Sequence, residues 1–274
     1  QKLQIEKQKD EIELINKELT HQNTIIRESI DYAKHIQFAM LPNPAIIAQV
    51  FPNFFVFFKP RDVVSGDFYW FHKADGKAIL ATIDCTGHGV PGAFMSLIAN
   101  SMLSKIVKEK HIYDPAIILA NLNNEVLEAM SQSGDDLDNG MDITVCTLNE
   151  ATQLIEIAMA GHSCVILNNG ELTEIEGKDF SIGGVFASLD STYEKHQLQL
   201  QKGMSCYFYS DGFADQIGGS DKKKLGQKAL NEIIFKANSL DSTNKKEYFE
   251  KALNEWKGEL KQVDDIIILG FSYV

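Results

Sequence analysis

The sequence predicts a mixed, layered α/β (α+β) fold preceded by a long coiled-coil helix. Three observations carry this expectation. Ile5, Ile12, Leu19, Ile26, Ala33 and Met40 recur every seven residues through a stretch that contains neither proline nor glycine. Beyond it, strand-like segments rich in aromatic and branched residues outnumber helical ones. Several of those strands follow one another with only a turn between, which favours antiparallel hairpins over a doubly wound parallel sheet.

The heptad stretch is taken first. Its second apolar column would hold Gln8, Ile15, Gln22, Ser29 and Ile36, so the seam is partly polar. That is the pattern of a two-stranded coiled coil with a weakly specified interface, and it predicts a homodimer. A polar seam suits a helix that shifts between states. One amphipathic helix packed on its own domain is the alternative. Pro42 and Pro44 end the run, because proline cannot continue the hydrogen-bond ladder. The expected division is therefore a coiled-coil helix at 1–42 and a globular body at 43–274. The chain starts without methionine and inside the helical pattern, which reads as part of a longer protein with a sensor domain upstream.

In the body, strands are expected at 54–59, 68–72, 77–84, 142–149, 153–159, 164–168, 171–175, 193–200, 204–210 and 266–272. Helices are expected at 91–109, 115–131, 225–237 and 245–260, and a polar loop at 131–140.

Composition removes several function classes. The 274 residues carry 38 acidic and 26 basic side chains, a net charge of -12. Such a surface repels phosphate backbones and anionic lipid, so no nucleic-acid partner is expected. Arg27 and Arg61 are the only arginines, which leaves Arg61 as the one guanidinium in the body able to clamp a phosphate. Cys85, Cys146, Cys164 and Cys206 lack CxxC spacing and read as reduced core thiols of a cytoplasmic protein. No run of 18 apolar residues appears, so any membrane anchor of the full-length protein would lie outside this sequence. A kinase or nucleotide-binding reading fails for lack of a GxxxxGK[ST] or GxGxxG loop in a suitable setting.

Four aspartates sit at predicted strand ends beside turn residues: Asp67 in VVSGDFYW, Asp84 in ATIDCTGHG, Asp211 in YFYSDGF and Asp264 in QVDDIIIL. Converging carboxylates repel one another, and hard divalent cations resolve that repulsion, since Mg2+ and Mn2+ favour oxygen ligands and water. Two such ions can share a water, lower its pKa and aim it at phosphorus. Each aspartate alone would more often be a turn or helix cap, and it is the four together that point to a metal site.

These segments, with AGHSC, resemble in order and spacing the SpoIIE/RsbU-type branch of the PPM (protein phosphatase 2C-like) superfamily. The segment AKHIQFAMLP at 33–42 resembles the Ala-x-x-x-Gln-x-x-x-Leu-Pro stretch that precedes the catalytic domain there. The resemblance covers residues 33–274. It implies a sandwich of two antiparallel sheets flanked by helices. It also implies a serine/threonine phosphatase that uses two Mn2+ or Mg2+ ions, held by Asp67, Asp84, the backbone carbonyl of Cys85, Asp211 and Asp264. Asp265 is the other candidate at the last position. A phosphorylated STAS-domain protein is the implied substrate class, and Gln37 and Leu41 are the implied regulatory contacts.

The chain departs from the family pattern at three points. Ile267 replaces a frequent threonine, Cys164 a proline, and Asp142 an apolar residue. Asp142 and Asp265 could be outer-shell or third-metal ligands, or else Asp142 a solvated strand residue and Asp265 an outward-facing neighbour of the ligand. His88 could protonate the leaving oxygen or merely fill a Gly-His-Gly turn. His162 reads as part of a structural turn. A catalytically silent, dimeric phosphoprotein-binding scaffold is the competing function.

Overall fold

The computed structural model describes residues 2–131, 140–189 and 191–273, and the chain divides into two units, Gln1–Met40 and Leu41–Val274. Most of the loop expected at 131–140 lies outside the described residues.

The first unit is one helix, α1 (Lys2–Met40). Thr20, Thr24 and Ser29 satisfy their hydroxyls on the carbonyls four residues back, so these polar residues sit in the helix without breaking it. Within the single chain, Ile5, Ile12, Leu19 and Ile26 all stand exposed.

The second unit is a sandwich. One sheet runs, in spatial order, β1 (Phe55–Lys59), β12 (Ile266–Ser272), β9 (Ser205–Tyr209), β6 (Ser163–Asn168) and β7 (Glu171–Glu176). The other runs β2 (Phe68–Ala74), β3 (Lys77–Cys85), β4 (Met141–Asn149), β5 (Leu154–Ala160) and β8 (His196–Gln199). Every neighbouring pair is antiparallel. A short pair, β10 (Ile217–Gly218) and β11 (Lys223–Lys224), stands apart.

The apolar pattern explains the layers. Along β12, Ile267, Leu269 and Phe271 point into the core between the sheets, where they meet Leu80, Ile157 and Phe208. Ile266 and Ile268 point to the other face, with Phe55, Phe57 and Tyr207, beneath helices α6 (Gln227–Ala237) and α7 (Ser242–Lys257). A strand buried on both faces reads as an unbroken apolar run, which is why 266–272 was so plain in the sequence. Phe249 of α7 lies between Phe57 and Phe213, with ring centroids at 6.2 and 6.0 Å.

Helices α3 (Gly89–Ser104) and α4 (Pro115–Ser131) pack on the second sheet. The stretch Gly89–Glu109 is, among the described residues, the one helix long and apolar enough to cross a membrane, and nearly half of it is buried in this domain instead. It ends in a π turn at Lys105–Glu109.

Elements differ from expectation where a cap decides the boundary. The last helix starts at Ser242, not 245, because Asp241 accepts hydrogen bonds from the Thr243 and Asn244 amides. It stops at Lys257, since Gly258 takes a positive φ of 53°. The strand expected at 193–200 shortens to His196–Gln199. Two short helices went unanticipated: α2 (Pro44–Ile47), capped by Asn43, and α5 (Gly212–Asp215).

Candidate active site

The two sheets bring the carboxylates together at their strand ends. Asp84 lies near the end of β3 and is paired directly with Asp142 at the start of β4. Opposed residues of an antiparallel pair share a face, so both carboxylates project the same way. Asp211 follows β9, and Asp264 lies two residues before the buried start of β12. Asp84, Asp142, Asp211 and Asp264 line one cleft of about 190 Å3, whose wall is completed by Cys85, Thr86, Gly87, His88 and Ser181.

Asp67 is 1% exposed and lies against Asp84, with which it shares a hydrogen bond. The Ser210 hydroxyl donates to its Oδ2 at 2.6 Å. The SGD turn that carries it is packed backbone to backbone. A Cβ on Gly66 would come within 2.6 Å of the Gly87 carbonyl oxygen and 2.8 Å of that of Cys85. Gly92 of α3 closes the same stack, since its Cβ would meet the Gly87 oxygen at 2.3 Å. Only glycine permits that approach, so the spacing of the SGD and TGHGVPG segments records a packing requirement.

Asp265 plays a different part from its neighbour. It is 2% exposed, and its oxygens accept from the Arg61 amide at 2.7 Å and the Gly66 amide at 2.8 Å. It fastens the loop leading to Asp67, while Asp264 faces the cleft. Arg61 is not brought to the cleft. Its guanidinium Nη1 donates to the Val263 carbonyl at 2.9 Å, which makes it a fastener of the same loop. His88 is at the cleft wall, with Nδ1 3.0 Å from Asp62 Oδ2. His162 is not in the cleft. It is buried, and burial pushes its imidazole down to about 3, so it stays neutral.

The electrostatics of the cleft are strongly one-sided. Burial, followed by the charges of Asp67 and Asp211, holds the Asp84 carboxyl well above the ordinary range. Burial does the same to Asp67, against the opposing effect of the Ser210 hydroxyl. Asp211 is pushed up to about 6 by burial and then by Asp215 and Asp264. No Lys or Arg is among the described residues that line the cleft. Carboxylates gathered this way favour a bound cation over the free anions, and an all-oxygen donor set selects hard divalent ions. Among the described residues no three such side chains converge closely enough to hold an ion unaided.

The sequence offers Asp265 as an outer-shell candidate, but it does not single out Ser210 as a support of the site or Ser181 as part of its wall. Ser210 and Asp265 lie inside recognised segments, but their roles depend on contacts some 143 and 199 residues away in sequence.

Two antiparallel sheets with outer helices and an aspartate-lined cleft at the strand ends define a PP2C-type phosphatase domain. The family model described as Stage II sporulation protein E (SpoIIE) matches residues 74–273, and the chain belongs to that family. It is 30% identical to the SiaA-PP2C domain of Pseudomonas aeruginosa, with a TM-score of 0.82 over 92% of this chain and 98% of that one. Phosphoserine phosphatase RsbU of Bacillus subtilis (strain 168) is 29% identical over 162 residues, which span 57% of this chain and 44% of that protein. The phosphatase domain and regulatory fragment of SpoIIE from Bacillus subtilis share the fold, with a TM-score of 0.64 at 15% identity over 80% of this chain and 62% of that one.

Proposed function

We propose that this chain hydrolyses phosphoserine or phosphothreonine on a partner signalling protein, using two Mn2+ or Mg2+ ions and regulated through α1. The observation that carries the reading is the convergence of Asp84, Asp142, Asp211 and Asp264 on one cleft with no Lys or Arg among its described lining residues. Asp67, Asp84, Asp211, Asp264 and the Cys85 carbonyl would hold the ions. When bound, such ions supply Lewis acidity toward phosphoryl oxygens and a water of lowered pKa. The chain's own contribution is to position: Ser210 and Asp265 fix Asp67 and its loop from the opposite sheet. His88, steadied by Asp62, stands at the wall where a leaving oxygen would take a proton.

The SpoIIE family and the likeness to RsbU support a phosphoserine protein as substrate, and a STAS-domain protein is the class proposed. Regulation has a local support in the second unit. Leu41 packs on the core between the sheets, and Tyr69 donates from its hydroxyl to the Pro42 carbonyl at 3.1 Å. The residues that follow α1 are thereby tied to β2, which starts one residue after Asp67. The exposed Ile5, Ile12, Leu19 and Ile26 column supports a homodimer of α1 helices. Sedimentation should show a dimer that Ile12→Asn with Ile26→Asn converts to monomer; an unchanged mass would refute it. Gln37→Ala and Leu41→Ala should shift activity or metal affinity, and no change in either would refute the regulatory role.

The test of the function is phosphate release from a serine-phosphorylated STAS-domain protein with Mn2+, with Mg2+ and with EDTA. Cation-dependent release is expected. Binding of the phosphoprotein without release under any cation would instead establish the silent scaffold.

A further inference from the structure

We propose that a second pocket beside the catalytic cleft is a subsite for a basic side chain flanking the phosphorylated residue of the substrate. The inference rests on the phosphatase reading above and names a preference of that same site.

The pocket has a volume of about 330 Å3, and its walls include Asp142, His162, Glu176, Asp179 and Ser181. Asp142 and Ser181 also line the catalytic cleft, so the two cavities share a wall. An extended peptide with its phosphate in the cleft would therefore pass a neighbouring side chain over this pocket.

The pocket is built, not incidental. Gly161 turns with φ +68°, and a Cβ there would fall 1.9 Å from Asp142 Oδ1, so the carboxylate can lie against this turn only because the residue is glycine. The Gly161 amide donates to the Lys178 carbonyl at 2.8 Å, and the Gly177 amide to the His162 carbonyl at 3.0 Å, which ties the two walls together. His162 is 6% exposed, and among the described residues its Nε2 has no hydrogen-bond partner and Asp142 Oδ1 has none either. Buried polar atoms are rarely left so, because each costs about 1–3 kcal/mol of desolvation. Two such atoms in one pocket wall point to a ligand that supplies donors.

The chemistry of that ligand follows. His162 Nδ1 lies 3.4 Å from the Thr144 hydroxyl, and in the tautomer that carries its proton on Nδ1 the Nε2 atom is an acceptor, the form that the proposed ligand selects. Asp142 Oδ1 is an acceptor as well. Asp142, Glu176 and Asp179 put three carboxylates at the wall against the one cation that also lines it, Lys178, whose ammonium lies 5.6 Å from the Phe180 ring centroid. A guanidinium or ammonium offers donors only and one positive charge, which matches this set.

The experiment compares phosphoserine peptides that differ only by Arg, Ala or Glu at each of the two positions on either side of the phosphoserine. They are assayed with Mn2+ beside p-nitrophenyl phosphate, a substrate too small to reach the pocket. Wild type should favour Arg over Glu at one position by about tenfold in kcat/KM, mostly through KM. Because the net charge of -12 draws every basic peptide, the local variant decides. Glu176→Gln with Asp179→Asn should reduce the preference to about twofold while p-nitrophenyl phosphate turnover holds. Glu171→Gln with Asp221→Asn, the same charge removed elsewhere, should leave it intact. Equal peptide rates in wild type, or a preference that survives the Glu176/Asp179 variant, would overturn the subsite. Failure to hydrolyse p-nitrophenyl phosphate as well would instead overturn the phosphatase reading on which it rests.

Discussion

Ser210 donates its hydroxyl hydrogen to Asp67 at 2.6 Å and accepts one from the Ile267 amide at 3.1 Å. One hydroxyl thus joins the end of β9, the start of β12 and a carboxylate of the facing sheet. Its hydrogen bond favours the ionised form of a buried acid that desolvation otherwise pushes strongly toward the neutral form. Ser210→Ala should leave the fold intact and weaken Mn2+ binding by about 10–100-fold, the range for residues that orient metal ligands. Calorimetric titration with Mn2+ checks this; unchanged affinity would make the hydroxyl a packing group only.

Asp265 should matter to stability more than its position beside Asp264 suggests. Asp265→Ala would strand the Arg61 and Gly66 amides that it now satisfies. At about 1–3 kcal/mol for each of the two unsatisfied groups, a loss of roughly 2–6 kcal/mol is expected in urea unfolding. Asp264→Ala, whose side chain faces the cleft, should cost much less stability and more activity.

Metal removal has a predicted pH signature. Asp211 titrates at about 6 in the folded chain against 3.8 ordinarily. A raised carboxyl gives stability below its unfolded pKa that is lost as pH rises through the folded one. The metal-free protein should therefore lose stability between about pH 4 and 6 on this account, by up to roughly 3 kcal/mol. Asp211→Asn should raise the metal-free melting temperature at pH 7 and abolish the further rise that Mn2+ gives wild type. A variant that melts lower than wild type without metal would contradict the assignment.

Lys245 offers a test remote from the cleft. Its ammonium is buried beside the rings of Phe55 and Tyr207, 5.4 Å from each centroid, and burial lowers its pKa from 10.5 to about 8. Between those values the unfolded chain binds the extra proton, so stability should rise from about pH 8 to 10.5. Lys245→Met should remove that rise in the denaturation midpoint.

How much of this was legible beforehand varies by the range of the interaction. The run at 266–272 and the heptads of α1 are local patterns of apolar residues, and both elements appear where the sequence put them. The position of Asp84, Asp211 and Asp264 at strand ends was visible because turn residues adjoin each. Asp264 and Asp265 could not be separated, since the amides that claim Asp265 lie almost 200 residues away. Arg61 drew notice as a lone guanidinium in the body, yet its nearest partner is a carbonyl, which no side-chain pattern reveals. The helix α7 begins at Ser242 and not at 245 because Asp241 caps it with hydrogen bonds from the Thr243 and Asn244 amides.

The central claim is that the aspartate cleft hydrolyses phosphoserine with bound divalent cations. The most direct measurement is phosphate release from a phosphoserine peptide by wild type and Asp211→Asn, each with Mn2+ and with EDTA. The account predicts turnover by wild type with Mn2+, none with EDTA, and a loss of at least about 100-fold in the variant, as expected when a catalytic metal loses a ligand. Turnover that persists in EDTA, or a variant as active as wild type, would contradict it.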